Sequence, residues 1–216
     1  MCGRFNLRTT AAELTAMFQA AMNYEPPVRF NIAPTQATAV CVQNETGSRE
    51  IVPMLWGLIP AWSKDKKIAA SLINARAETV AEKPSFLTAF KRRRCLVPMS
   101  GFYEWLRSGK TKQPFHIHRH DDAPFAVAGI WESWHDVNTF AVITTAANRV
   151  MSPIHDRMPV IIAPELYSEW LDNRATPEFL QSLIEPHEWS GIECVEVSNV
   201  VNNARNDVPE CIDLIN

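Results

Sequence analysis

The sequence predicts an α+β fold with a mostly antiparallel, barrel-like β core flanked by short helices. Strand-like runs outnumber helical segments and do not alternate regularly with them, which argues against a doubly wound parallel sheet. Hydrophobic residues make up 46% of the chain, as in globular proteins with a substantial core. Because no Gly/Ser linker, repeat or low-complexity tract interrupts the sequence, we expect residues 1–216 to form one domain.

Four segments carry helix signals. In "TTAAELTAMFQAA", Thr10 and Glu13 form a capping box at the start of a helix. The apolar residues that follow at helical spacing are Leu14, Met17, Phe18 and Ala21. "PSFLTAFKRRR" predicts a short helix whose C-terminal cations suit the helix dipole. "PELYSEWL" and "TPEFLQSLI" each place proline at or near the first helical turn.

The β content rests on runs rich in branched and aromatic residues, bounded by turn-forming residues. In chain order they are "ATAVCVQ", "EIVPMLWGLI", "SLINARAET", "RCLVPMSGFYEW", "PFHIHR", "FAVAGIWESW", "TFAVITTA", "MPVIIA" and "ECVEVS". We expect these runs to pair mainly antiparallel and to form the core.

The composition excludes several classes of protein. The longest apolar stretch, "IVPMLWGLIPAW", is interrupted by two prolines and cannot span a membrane. With no charged-then-apolar leader, we expect a cytoplasmic protein, or a nuclear one in a eukaryotic host. The five cysteines are scattered without a C-x-x-C pair, so neither a disulfide framework nor a zinc site is favoured. No phosphate-binding glycine loop occurs, and we expect neither a metal nor another cofactor.

Charge is distributed unevenly along the chain. The net charge is −3, but residues 1–119 carry 17 Lys+Arg against 8 Asp+Glu, and residues 120–216 carry 4 against 16. A basic half could form a phosphate-attracting face on a globally acidic protein. Alternatively, the two halves interdigitate in one fold and the asymmetry averages away.

The N-terminus "MCGRFNL" places a cysteine directly after the initiator methionine. If Met1 is removed, the α-amine and the thiol of Cys2 belong to one residue and form a 1,2-aminothiol. Such a group captures aldehydes efficiently, because the amine forms an imine that the neighbouring thiol can close into a ring. Cys2 is therefore a candidate nucleophile.

Three further segments carry candidate site residues. On a strand, "INARAET" would place Asn74, Arg76 and Glu78 on one face, unless it is a plain solvated edge strand. In "GFYEW", Glu104 lies among aromatic residues, which favours a raised pKa if the carboxyl group does not point into water. In "SPIHDRMP", two prolines flank His155, which is suited to proton transfer or to a structural hydrogen bond in a turn.

The order of these and other motifs along the chain indicates a protein family. The ordered set "MCGRFN", "RFNIAPTQ", "WGLIPAW", "INARAET", "RRCLVPMSGFYEW", "KQPFHIH", "AVITTAAN" and "IHDRMPVII", followed by "VSNVVNNARND", closely resembles the SRAP family. These abasic-site processing proteins are also called SOS-response-associated peptidases. The resemblance implies an abasic-site sensor that crosslinks to single-stranded DNA through Cys2 after Met1 removal, as imine and then thiazolidine. The resemblance further implies that the protein protects the lesion during the DNA damage response and that it has self-processing peptidase and lyase activities.

The resemblance also assigns roles by position. Asn74 would orient the Cys2 amine or the sugar, Glu104 would exchange protons with the opened sugar and the imine, and His155 would assist ring opening. The residues expected along the DNA channel are Arg4, Asn31, Pro34, Trp62, Arg76, Glu78, Thr145 and Arg157. The resemblance gives Trp62 the role of stacking on a base or wedging the strand apart. Members of the family often carry two adjacent aromatic residues at this point, but here Ser63 follows Trp62, which predicts a wedge of different shape.

The expected partner is single-stranded DNA containing abasic sites, bound by a monomer that needs no membrane. Two alternatives remain at this stage. An N-terminal-nucleophile glutamine amidotransferase also matures to an N-terminal cysteine. A simple single-stranded DNA-binding module would use Trp62 and the basic half without forming a covalent bond.

Overall fold

The computed structural model describes residues 2–109, 111–189 and 191–215. Met1, whose removal the sequence analysis expects, lies outside the described residues. The strands are β1 Arg4–Leu7, β2 Ala21–Met22, β3 Arg29–Ile32, β4 Ala37–Gln43, β5 Arg49–Trp56, β6 Asn74–Arg76, β7 Arg94–Met99, β8 Gly101–Ser108, β9 Thr111–Arg119, β10 Phe125–Trp134, β11 Val137–Ala146, β12 Arg157–Pro159, β13 Ile161–Ile162 and β14 Ile192–Glu196. The α-helices are α1 Ala11–Phe18, α2 Leu87–Arg92, α3 Tyr167–Leu171 and α4 Pro177–Leu183.

Five strands close into a barrel. β11, β10, β7, β4 and β5 pair antiparallel in that order, and a parallel pairing of β5 with β11 completes the ring. All residues of β7 are buried, because its two faces are covered by the barrel interior and by outer elements. The expected fold class, a mostly antiparallel barrel-like core with short helices, is confirmed.

A second sheet adjoins the barrel, with the strand order β14-β9-β8-β1-β3. Its central strands, β1 and β8, pair with Arg4 opposite Tyr103 and Phe5 opposite Phe102. Strands from both halves of the chain occur in both sheets, so the basic and acidic halves interdigitate. Within the described residues, no helix combines the length and apolar character needed to cross a lipid bilayer.

The predicted helices are present, but they are shorter than the segments that indicated them. The capping box of Thr10 and Glu13 is present in α1, but the helix ends at Phe18. Gln19 then adopts a left-handed conformation with φ of 50°, and Ala21 lies in β2 instead of on the helix. The C-terminal helices begin with proline as expected, although Pro164–Leu166 forms a separate 3₁₀ turn before α3.

The basic run after α2 also differs from the prediction. Lys91 and Arg92 are exposed at the helix end, whereas Arg94 starts β7 and is buried. Its guanidinium donates to the carbonyl oxygens of Phe90, Trp170 and Asp172 at 2.7–2.8 Å. Arg94 is therefore a structural cation, because these backbone acceptors satisfy its buried donors.

Several predicted strands are shorter than the runs that indicated them. The segment "SLINARAET" contributes only Asn74–Arg76, because Lys66–Ser71 forms a 3₁₀ helix and a turn follows. The run "RCLVPMSGFYEW" divides at Ser100 into β7 and β8, which belong to different sheets. By contrast, "ATAVCVQ" and "FAVAGIWESW" correspond fully to β4 and β10.

Candidate active site

The side chain of Asn74 joins the N-terminal segment to the barrel. Its Nδ2 donates to the backbone carbonyl of Cys2 at 2.7 Å. β6 holds Asn74 in place, because β6 pairs parallel to β11 and buries the neighbouring Ala75. Within the described residues, the Asn74 Oδ1 atom is buried and has no hydrogen-bond partner. One end of this amide therefore fixes Cys2, and the other end remains available as an acceptor.

Glu104 approaches Cys2 from the second sheet. The pairing of Arg4 with Tyr103 brings the next residue of β8 toward the N-terminal end of β1. Glu104 is 3% exposed, and burial raises the pKa of its carboxyl group. Burial also raises the pKa of the Cys2 thiol, and the nearby Glu104 charge adds to that effect. Both groups are therefore biased toward their protonated forms.

His155 lies in the loop before β12 and has two competing partners at one ring nitrogen. The Arg157 backbone N–H donates to Nδ1 at 3.0 Å, and an oxygen of Asp156 lies 2.8 Å from the same atom. A neutral Nδ1 can accept from the amide, whereas a protonated Nδ1 donates to the carboxylate. The loop thus provides a hydrogen bond for either protonation state, which suits a group that gives and takes a proton.

A cavity of about 500 Å³ opens between these elements. Its lining includes the predicted residues Arg4, Glu104 and His155. Four further lining residues did not appear among the sequence-based candidates: Trp105, Arg107, Lys112 and Asn202. Trp105 and Arg107 follow Glu104 on β8, so proximity to a candidate acid in a strand could have indicated them. For Asn202, far along the chain, only its position in the "VSNVVNNARND" motif pointed to a role.

Arg4 and Asn31 hold the C-terminal segment against the site. Arg4 Nη1 donates to Asn31 Oδ1 at 3.0 Å and to the Val201 carbonyl at 2.9 Å. Asn31 Nδ2 in turn donates to the carbonyls of Val201, Asn203 and Asn206. These contacts saturate the buried Asn31 amide, so it supports the wall of the cavity and has no free group for DNA.

Arg157 and Glu78 form an ion pair next to β11. Arg157 Nη1 and Nη2 contact the two carboxylate oxygens at 2.5 and 3.0 Å, and Nη2 also donates to the Thr144 carbonyl at 2.6 Å. This bidentate contact lowers the pKa of Glu78. The guanidinium of Arg157 thus binds protein acceptors, whereas the side chain of Arg76 at the end of β6 is exposed.

The other expected channel residues differ in exposure. Trp62 is 63% exposed, and Pro34 is half-buried. The next residue, Ser63, is buried, and its carbonyl accepts from the Trp134 indole N–H at 2.7 Å. The serine side chain has a partner of its own, since Ser63 Oγ donates to the Asp65 carbonyl at 3.0 Å in the loop that presents Trp62. Thr145 is buried on β11, close to the barrel end that carries β12.

Comparison of the sequence with protein families shows that residues 1–204 match the model of SOS response associated peptidase (SRAP). The chain belongs to the SRAP family. This membership confirms the resemblance identified from the motifs. Among the described residues, no group of three or more His, Cys, Asp or Glu side chains is arranged to hold a metal ion.

Relatives of this SRAP chain carry informative names. It is 40% identical to abasic site processing protein YoqW of Bacillus subtilis, over 99% of both chains. It is 32% identical to abasic site processing protein YedK of Escherichia coli, over 98% of this chain and 99% of that one. It is also 32% identical to abasic site processing protein HMCES of Xenopus tropicalis, over 92% of this chain and 67% of the relative.

The SRAP fold also has solved examples. A crystal structure of a protein from Bacteroides thetaiotaomicron superposes with a TM-score of 0.90 and 25% identity, covering 99% of this chain and all of that one. The two structures therefore share the barrel and the adjoining sheet.

Proposed function

We propose that this protein processes abasic sites by forming a covalent bond between Cys2 and the ring-opened deoxyribose in single-stranded DNA. The observation that carries the proposal is that Cys2, whose carbonyl is held by Asn74, lies close enough to Glu104 to feel its charge, and that Glu104 and His155 line one cavity. The names of relatives that match nearly the whole chain support the substrate class. The proposal includes a monomer that acts in the compartment that holds the DNA.

The first step is removal of Met1, by the protein itself or by a cellular aminopeptidase. It leaves Cys2 with a free α-amine whose pKa of about 7.7–8.0 makes roughly a tenth unprotonated at pH 7. A lysine, with a pKa of about 10.4, has well under one part in a thousand. The Cys2 amine therefore attacks the sugar aldehyde first, and loss of water gives an imine. Asn74 Oδ1 is the acceptor that aligns this amine.

The second step closes the ring. The Cys2 sulfur adds to the imine carbon, and the thiol proton goes to the imine nitrogen, which gives a thiazolidine without any further reagent. Because burial raises the pKa of the thiol, a nearby base must assist the proton transfer. Glu104 is our candidate for this transfer, since its charge influences the Cys2 thiol and burial raises the pKa of its own carboxyl group. The ring lacks the electrophilic imine and therefore persists.

In this proposal His155 assists the opening of the sugar ring. Its two alternative hydrogen bonds let it protonate the sugar ring oxygen during opening and then recover the proton. The same imine permits β-elimination of the 3′ phosphate, which is the lyase activity, and ring closure by the thiol competes with it. Trp62 stacks on a base near the lesion, and Arg4 and Arg76 contact the strand.

A single-stranded oligonucleotide with one abasic site tests this proposal. The mature protein should give a gel-shifted band that survives boiling in detergent, and intact mass should show loss of Met1 and gain of one oligonucleotide. Cys2→Ala should abolish the stable adduct, and one additional residue before Cys2 should also block it. Equal adduct formation by blocked protein would assign the chemistry to a lysine and refute the proposal. DNA binding without any covalent species would support the plain binding module, and ammonia release from glutamine would support an amidotransferase.

A further inference from the structure

The hairpin of β8 and β9 carries two cations directly opposite each other. Arg107 pairs with Lys112 in the antiparallel ladder, and both side chains are exposed. Cross-strand neighbours lie within about 5.5 Å at Cβ, so two like charges in this position repel and destabilise the hairpin. A protein retains such a pair at a cost to its own stability, which points to a role for the two charges.

No carboxylate in the described part of the chain forms an ion pair with Arg107 or Lys112. Other arginines are neutralised: Arg119 on the same hairpin contacts Asp121 at 2.6 Å, and Arg157 contacts Glu78 at 2.5 Å. The Arg107–Lys112 pair is thus a positive charge that lacks an intramolecular partner in these residues.

The pair belongs to the same cavity as the candidate catalytic residues. Arg107 and Lys112 line it together with Glu104 and His155. Arg107 follows Glu104 by three residues along β8, which corresponds to about 10 Å of extended strand. An anion bound by the pair would therefore lie next to the reacting sugar, not on a remote surface.

The base of the hairpin is held rigidly. The Trp105 indole N–H donates to Asn202 Oδ1 at 2.6 Å, and the Arg4 guanidinium lies 6.0 Å from the centre of the Trp105 ring. Gln113 Nε2 donates to the Val197 carbonyl at 3.1 Å. These contacts fix the strands on which both cations stand, so little order must be gained when an anion binds.

We propose that Arg107 and Lys112 bind backbone phosphates of the strand segment that leaves the site over the β8–β9 hairpin. Trp62 and Arg76 lie on segments joined to the barrel, whereas the hairpin belongs to the second sheet, and Cys2 lies where the two meet. The pair therefore holds the DNA on the side of the lesion opposite Trp62. This inference rests on the proposed function and adds a second contact region to it.

Salt dependence of binding to undamaged single-stranded DNA tests the pair without requiring any covalent chemistry. The double variant Arg107→Gln/Lys112→Gln should lower the slope of log K against log salt by about 1.4, because each phosphate contact contributes about 0.7. Lys91→Gln/Arg92→Gln is the matched control, since it removes two exposed cations from the end of α2, and its slope should equal that of the wild type. A wild-type slope in the hairpin variant would overturn the inference.

Oligonucleotides with neutral methylphosphonate linkages on one side of an abasic site locate the contact. Neutral linkages on the side that the hairpin contacts should weaken DNA binding by the wild type but leave binding by the hairpin variant unchanged. Neutral linkages on the other side should weaken DNA binding by both proteins equally. Equal weakening of both proteins on each side would overturn the inference. If the wild type forms no adduct but the salt slopes differ as expected, the proposed function fails and the phosphate contact stands.

Discussion

Replacing Asn74 by alanine tests how strongly the barrel positions the N-terminal cysteine. The change removes the 2.7 Å hydrogen bond from Nδ2 to the Cys2 carbonyl. It also removes Oδ1, which is buried without a partner in the described chain and is the expected acceptor for the mature α-amine. We expect slower adduct formation, with a loss of folding stability no larger than about 0.5–1.5 kcal/mol, the contribution of one net hydrogen bond.

The magnitude follows from these two contacts. A net hydrogen bond contributes about 0.5–1.5 kcal/mol, and about 1.36 kcal/mol corresponds to a tenfold change in rate. Loss of the carbonyl contact alone should slow the reaction by about 2-fold to about 13-fold. If the second contact to the amine is also lost, the combined effect should reach about 5-fold to about 150-fold.

The assay is single-turnover adduct formation with saturating abasic oligonucleotide, quantified on denaturing gels. Asn23→Ala, at an exposed position, serves as the control and should react like the wild type. Thermal midpoints of both variants separate positioning from unfolding. A wild-type rate for Asn74→Ala would refute the positioning role, as would a rate loss fully accounted for by a lowered midpoint.

Two more predictions concern Glu104 and Trp62. Burial raises the pKa of the Glu104 carboxyl group in the folded state. At pH values above the carboxyl pKa of the unfolded chain, the unfolded chain is ionised and the folded state must bury that charge or keep the proton, so Glu104 destabilises the fold there. Glu104→Gln should therefore raise the thermal midpoint at pH 7.5 but not at pH 4, while slowing adduct formation; a lower midpoint at pH 7.5 would contradict this. Trp62→Ala should weaken binding to single-stranded DNA by about 1–3 kcal/mol without changing the thermal midpoint, because the ring is exposed; unchanged affinity in titrations would exclude stacking.

Features that depend on neighbouring residues could be predicted from the sequence. The capping box of Thr10 and Glu13, the prolines that begin α4 and the 3₁₀ turn before α3, and the strands β4 and β10 follow from local preferences and alternation. The ordered motifs identified the family and directed attention to Cys2, Asn74, Glu104 and His155. The predicted end of the first helix was wrong, since Ala21 continued a helical pattern that the left-handed Gln19 interrupts.

Which polar side chains remain available for DNA depends on contacts between residues far apart in the chain. In the sequence, Asn31, Glu78 and Arg157 look as suited to DNA as Arg76 does, but long-range partners bind the first three. Likewise, the closure of β5 onto β11 and the approach of Asn202 to Trp105 join residues that are far apart in the chain. The physical reason is that a polar group's free energy depends on the partners that folding brings to it, and residue type and spacing do not specify those partners.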